Sequence, residues 1–459
     1  MFKKLIGDRK FYGMVFSIAI PIMIQNAISG FVNLLDNIMV GQLGTDPMSG
    51  VSIVNQLIFV FNLCIFGAIS GPGIFSSQFY GKRDHDGIRY CHRYKFVISM
   101  IIVGVVISVF SLFKNELISL YLKGDQVVGD IEATKEYGRN YLQVMLIGLL
   151  PFALSQCYSG TLREMGETKI PMISGLIAVG TNLFLNWVLI YGKLGAPALG
   201  VEGAAIATVI SRFVELGIVA TWAHTHSEEF VFVKGLYSGL KIPAGLFKKI
   251  FIKGTPLLIN ELLWSAGMAV LSQRYSLRGN DVIAAQNIAS TISNLFNMVY
   301  MSFGTSIAIV VGPLLGANKQ DEAVDTSRKM IAFSVFVSVL VGAMLAATSS
   351  LFPRLYNTEE EVRSLASTLI IIYGCYAPIN GFVHASYFTI RSGGKTIVTF
   401  LFDSAFSWCV VVPVAVILSG YTSLPIIPLF AICQALEIIK CCAAFILLKK
   451  KIWLNNIVD

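Results

Sequence analysis

Nine stretches of this 459-residue chain run for eighteen residues or more without a Lys, Arg, Asp or Glu: 11–35, 47–81, 96–113, 140–162, 170–192, 282–318, 330–353, 364–390 and 404–436. At about 1.5 Å per helical residue, roughly eighteen to twenty such residues cross the ~30 Å hydrocarbon core of a bilayer. Each run therefore predicts a membrane-spanning helix. Three further spans are interrupted by charge: 201–225 holds Arg212 and Glu215, 248–275 holds Glu261, and 426–448 holds Glu437 and Lys440. The longest of the late runs breaks at the turn SGYTSLP, ending one span and starting the next, so the expected total is twelve. Composition agrees, with 55% hydrophobic and 14% charged residues against about 25% charged in soluble domains.

The formal charge of +8 is scattered through loops with no basic domain to hold it, which argues against a nucleic-acid partner. Its distribution instead gives an orientation. The termini and even-numbered loops hold 24 Lys and Arg, the odd loops 9, and Arg212 and Lys440 lie inside spans, which by the positive-inside rule predicts cytoplasmic termini in a multi-pass plasma-membrane protein. The eight cysteines show no metal-ligand spacing and are expected to be reduced thiols packed as small hydrophobes.

The chain resembles itself. A shift of 235 lays 21–81 on 256–316 without a gap, matching Pro21 with Pro256, Gly44 with Gly279, Asp46 with Asp281, Asn62 with Asn297 and Gly81 with Gly316. A shift of 228 pairs Arg163, Gly166 and Thr168 with Arg391, Gly394 and Thr396. The expected fold is all-α and polytopic, with twelve transmembrane helices in two six-helix lobes related by a pseudo-twofold along the membrane normal. The lobes are assigned to 1–225 and 248–459, and 226–247 is the expected cytoplasmic linker.

The first span carries a polar stripe: Gln25, Asn26, Ser29, Asn33, Asp36 and Asn37 fall within about a third of the helix circumference. A stripe of that kind at membrane depth faces protein or water. A carboxylate there costs roughly 2.5–3.5 kcal/mol, which makes Asp36 a candidate for ion exchange. In the helix that repeats the first, Glu261 shares a stripe with Ser265, Met268 and Ser272, with Trp264 at its edge. Glu261 aligns with Asn26, whereas Asp36 aligns with Leu271, so the two halves carry their acids at different depths. Asn380 and His384, one turn apart, share a face with Tyr376 and Tyr387 in the tenth span, and Asp403 lies near the start of the eleventh, open to pairing with a loop cation. Arg212 with Glu215, and Glu437 with Lys440, read as ion pairs at helical spacing. No nucleotide-binding glycine loop, nucleophile elbow or His/Glu metal pair is present, so no catalytic residues and no cofactor are expected, and isolated buried acids in a duplicated bundle point to a secondary transporter.

The segments PIMIQNAISGFVNLLDNIMVGQLG, TNLFLNWVLIYGKLGAPALGVEGAAIATVISRFVE, TLREMGETK and TIRSGGKT resemble the multidrug and toxic compound extrusion (MATE) family across essentially the whole chain. The resemblance implies two lobes around a central cleft that opens alternately to either side, exporting organic cations in exchange for H⁺ or Na⁺. It further implies that Asp36 is the first-helix coupling acid, with Na⁺ as one candidate occupant, and that Pro21 is where that helix bends. Asn182, Asn186 and Thr208 then form the polar cluster around the acid, and Glu261 contributes to coupling in the second lobe. Many relatives carry aspartate where Asn186 stands, and Asn380 replaces another family aspartate, so the coupling ion stays open between H⁺ and Na⁺. Gln25, Asn26, Asn33, Trp264, Met268, Tyr376, Asn380 and His384 are the expected cleft residues, and the protein is expected to work as a monomer in the lipid bilayer. Two other readings remain: a flippase for a lipid-linked precursor, which would call for a basic cleft, and a membrane-embedded transferase, for which His224 and His226 are the only suggestive pair.

Overall fold

A computed structural model describes residues 5–122, 130–356 and 358–459, and within them the side chains of all but Ser29, Val32, Asn33, Leu34 and Asn280. Asn33, expected above in the cleft, thus has its side chain outside the described residues. The described chain is built of helices: α1 (Arg9–Gly41), α2 (Thr45–Lys82), α3 (His85–Leu112), the short α4 (Lys114–Tyr121), α5 (Ile131–Glu164), α6 (Lys169–Tyr191), α7 (Gly200–Thr225), α8 (Ala244–Ser276), α9 (Asn280–Gly316), α10 (Gln320–Thr348) and α11 (Glu360–Ser392). The eleventh and twelfth spans follow at Thr396–Tyr421 and Ile426–Lys449, separated at the SGYTSLP turn. Among the described residues, eleven helices are long and apolar enough to cross a membrane. The remaining long helix, α8, has the length but carries Lys248, Lys249, Lys253, Glu261 and Arg274, as its interrupted sequence foretold.

The helix ends reproduce the repeat. Adding 235 to the bounds of α1 gives 244–276, those of α8, and adding it to the start of α2 and of α3 gives the starts of α9 and α10. Gly44 (φ +129°) and Gly279 (φ +124°), equivalent under that shift, make the α1–α2 and α8–α9 turns in a backbone region that a Cβ would strain. Local chemistry sets other ends: Asp84 Oδ1 accepts from the Gly87 N–H at 2.8 Å, and Asp130 Oδ1 from the Glu132 N–H at 2.8 Å, each satisfying an orphan donor of a first turn.

The chain forms two compact units. One holds Ile24–Ser76 and Asp84–Phe251; the other holds residues up to Met23, the segment Ser77–Arg83 and Ile252–Asp459. Helices α1 and α2 are shared between them, α1 changing over just after Pro21. In the first unit, Val40, Val51, Val54, Leu142, Met145, Ile190, Ala205 and Val209 knit α1, α2, α5, α6 and α7 into one core. Small residues let these helices touch through backbone: a Cβ on Gly50 would lie 2.7 Å from the Thr134 carbonyl oxygen, and one on Gly203 2.7 Å from that of Leu189. The second unit has a core around Tyr275, Ile288, Leu369, Ile370, Leu429 and Phe430, with Gly374 packed on the Gly342 carbonyl between α10 and α11. Hydrophobic burial cannot drive assembly in lipid, so close van der Waals packing of this kind and buried hydrogen bonds do that work. Ser70, Thr161, Ser306 and Thr389 donate to carbonyls one turn back, which keeps their hydroxyls satisfied away from water. Large apolar side chains such as Phe31, Ile101, Phe184 and Leu340 stay about half exposed, as lipid-facing surface requires.

Two consecutive π-turns, Leu401–Ala405 and Ser407–Val411, interrupt the eleventh span. A π-turn leaves a carbonyl without its usual partner and widens the helix, a device found disproportionately at functional positions. Here the first widened stretch contains Asp403.

Candidate ion and substrate sites

In the first unit, α1, α6 and α7 bring four of the expected site residues together. Asn182 and Asn186 are one turn apart on α6, so both face the same way. Asn186 Nδ2 donates to Asp36 Oδ1 at 2.5 Å and to Asn182 Oδ1 at 3.2 Å. Asn182 Nδ2 in turn donates to Thr208 Oγ1 at 3.2 Å, and that hydroxyl donates to the Ala204 carbonyl at 3.0 Å. The network runs from carboxylate to α7 without a gap. Asn186 is fully buried, yet its Oδ1 has no donor. A buried carbonyl left unpaired costs roughly 1–3 kcal/mol, so this oxygen is free to accept from a proton donor or to ligate a cation. Among the described residues no three His, Cys, Asp or Glu side chains group as a metal site, so a cation here would be held by one carboxylate with amide and hydroxyl oxygens.

Tyr141 belongs to this site and was not singled out from the sequence. It is buried, lies within reach of the Asp36 charge, and donates to Asn55 Oδ1 at 3.4 Å. Its only sequence signal is position on the interior face of α5. Gln25 packs on α6, its amide nitrogen 3.5 Å from where Gly175 would carry a Cβ. Leu271, the repeat counterpart of Asp36, packs against the apolar core of the second unit, so the acid site has no copy there.

The second unit builds a different network. Asn260, the repeat counterpart of Gln25, donates through Nδ2 to Asp403 Oδ2 at 3.0 Å and accepts through Oδ1 from the Ser404 N–H at 3.3 Å. Lys440 donates to the other Asp403 oxygen at 3.0 Å and lies 3.5 Å from Glu437. Asp403 therefore pairs with a lysine of the twelfth span and not with a loop cation. Glu261 feels the charges of Arg391 and of this Asp403. On the same helix Trp264 and Met268 are 41% and 48% exposed. His384 uses Nδ1 on the Asn380 carbonyl one turn back at 3.0 Å, and Tyr376 is half-buried beside them in sequence. The Glu437–Lys440 pair forms as its spacing foretold. Arg212 donates to the Gly148 carbonyl at 3.1 Å and lies over the Phe152 ring, because α5 crosses close enough to offer both, and the Glu215 charge still acts on it. The two histidines suggested for a transferase are both exposed: His224 Nε2 meets the Tyr158 hydroxyl at 3.0 Å and His226 stacks on Trp222.

Among the described residues, twelve long helices in two repeated sixes, with a carboxylate held in buried amides, define a polytopic membrane transporter. The family model MatE matches residues 21–188 and 256–417, one block in each repeat, and the chain belongs to the MATE family. Its members are transporters and not enzymes. The chain is 25% identical over 409 residues to a probable multidrug resistance protein NorM of Thermotoga maritima, covering 89% of this chain and 85% of that one. It is 25% identical over 414 residues to a probable multidrug resistance protein YoeA of Bacillus subtilis, covering 89% and 87%. Among solved structures, a MATE protein in the bent conformation superposes with a TM-score of 0.86 at 20% identity, covering 98% of this chain and 96% of that one.

Proposed function

We propose that the protein exports amphiphilic, mainly cationic, small molecules from the cytoplasm by alternating access, in exchange for H⁺ or Na⁺ taken up at Asp36. The observation that carries the coupling half is the orphan Asn186 Oδ1 beside the Asp36 carboxylate. An incoming proton or Na⁺ supplies the missing positive partner and rearranges the hydrogen bonds that tie α1 to α6. That change is felt along α1, where Pro21 has already removed one backbone donor and where the helix passes from one compact unit to the other. Loading the site thus biases the bend of α1 and with it the balance between two open states. The export half is supported by family membership, by the multidrug-resistance names of the relatives, and by the exposed Trp264 and Met268 beside Glu261, soft surfaces suited to flat cations. The positive-inside count supports cytoplasmic termini, and export out of the cell calls for the plasma membrane. Ethidium efflux from proteoliposomes under separate H⁺ and Na⁺ gradients tests the proposal and identifies the ion; no efflux under either gradient would refute it and favour the lipid-flippase reading.

A further inference from the structure

The ends of α2 and α9 meet in a contact that repeats itself. A Cβ on Gly81 would collide with the Pro313 carbonyl, one on Gly316 with the Gln78 carbonyl, and one on Gly312 with the Ser77 side chain. Under the 235-residue shift, Ser77, Gln78 and Gly81 become Gly312, Pro313 and Gly316. The contact is therefore isologous, each repeat presenting the same positions to the other. Both helices end alike, in left-handed residues at equivalent places, Arg83 (φ +61°) and Asn318 (φ +57°). Because backbone meets backbone at these glycines, the crossing is tight when closed and rests on van der Waals contact.

Something else must then hold it, and the segment after the twelfth span does. Residues 453–459 run over the crossing. Trp453 is buried, with its carbonyl against Gly393, and Ile457 lies against Gly394 where a Cβ would come within 2.9 Å. Gln78, fully buried, is the anchor: Nε2 donates to the Ser392 carbonyl at 2.9 Å and the Asn455 carbonyl at 3.2 Å, and Oε1 accepts from the Ile457 N–H at 2.9 Å. Lys82 donates to the Val458 carbonyl at 3.0 Å and pairs with Asp459 at 3.2 Å. On the α9 side, Asn456 donates to Asn318 Oδ1 at 2.9 Å, and Asn318 donates to Asp459 Oδ2 at 3.2 Å. The strap thus ties the end of a first-repeat helix to the ends of two second-repeat helices, α9 and α11.

We infer that residues 453–459 are a latch that holds the α2 and α9 ends closed and must let go of Gln78 before this side of the protein opens. The inference rests on the alternating-access reading for what the opening does, but its test reads opening and not transport. In a cysteine-free background, full-length Ser77→Cys is placed in nanodiscs and alkylated with a polar maleimide; Ser77 is buried at the crossing, so it labels only when the helices part. Adding Gln78→Leu removes three hydrogen bonds at nearly constant volume and is expected to raise the labelling rate at least tenfold. Adding Lys82→Glu, which acts on a half-exposed pair, is expected to raise it about twofold to fivefold, and Asp459→Lys on top should restore the parent rate. If Gln78→Leu does not fold, the charge-swap series decides alone. Parent labelling rates in these variants, with faster deuterium exchange in 453–459, would overturn the latch by showing the strap detached over helices that stay closed. A chain that failed the efflux assay would still give a clear answer here.

Discussion

Replacing Asp36 by asparagine separates the two roles an intramembrane acid can have. The substitution keeps the shape and turns the 2.5 Å charge-assisted bond from Asn186 into a neutral one. Bonds to charged groups are worth about 1.5–3 kcal/mol and neutral ones about 0.5–1.5, so about 1–1.5 kcal/mol is lost. Against this, removing a carboxylate at membrane depth relieves roughly 2.5–3.5 kcal/mol. The sum is about 1–2.5 kcal/mol in favour of the mutant, which should insert, purify and melt at or slightly above the wild-type temperature. Its drug-induced H⁺ or Na⁺ flux, measured in proteoliposomes, should fall to the level of empty vesicles, because no negative charge remains to take up an ion beside Asn186 Oδ1. Wild-type coupled flux would refute the assignment of Asp36 to coupling. A melting temperature several degrees below wild type would refute the energetic argument and make the acid structural.

Four further outcomes are expected. Lys95, fully buried, donates to both Glu164 oxygens at 2.6 and 2.7 Å, so Glu164→Leu should cost about 3–5 kcal/mol by stranding the ammonium, whereas Lys95→Met/Glu164→Leu together should cost less than that single change; additive losses in apparent melting temperature would contradict the pairing. Gly50→Ala should destabilise by about 1–3 kcal/mol because its Cβ would lie 2.7 Å from a backbone oxygen, while Gly104→Ala, with nothing within 4 Å, should be neutral or slightly stabilising in the same melting assay. Trp264→Ala should change apparent affinity for different export substrates unequally; a uniform loss across substrates would remove Trp264 from the substrate surface. Ser238, exposed in the segment between α7 and α8, should label as Ser238→Cys only from the cytoplasmic side of right-side-out vesicles, and labelling only from outside would reverse the orientation.

Spans, repeat and acids were legible in the sequence for one physical reason. Hydrocarbon solvates neither charge nor free backbone, so every crossing segment must declare itself locally by composition, and every departure from apolarity, such as Asp36 or Glu261, stands out against it. Even α8, with its five charged residues, is marked as a span by the helix it repeats. The duplication was legible for a related reason, since Gly44 and Gly279 occupy turn conformations that tolerate little else. Partners were not legible. Lys440 meets Asp403 across 37 positions, Tyr141 joins the Asp36 site from another helix, and Arg212 donates to the Gly148 carbonyl of α5. Residue types and spacing say which side chains need a partner, but which one they find depends on the angle and depth at which helices cross. In lipid those crossings are fixed by small-residue contacts such as Gly50 on Thr134 and Gly81 on Pro313, between positions far apart in the chain, and so they exist only once the helices have packed.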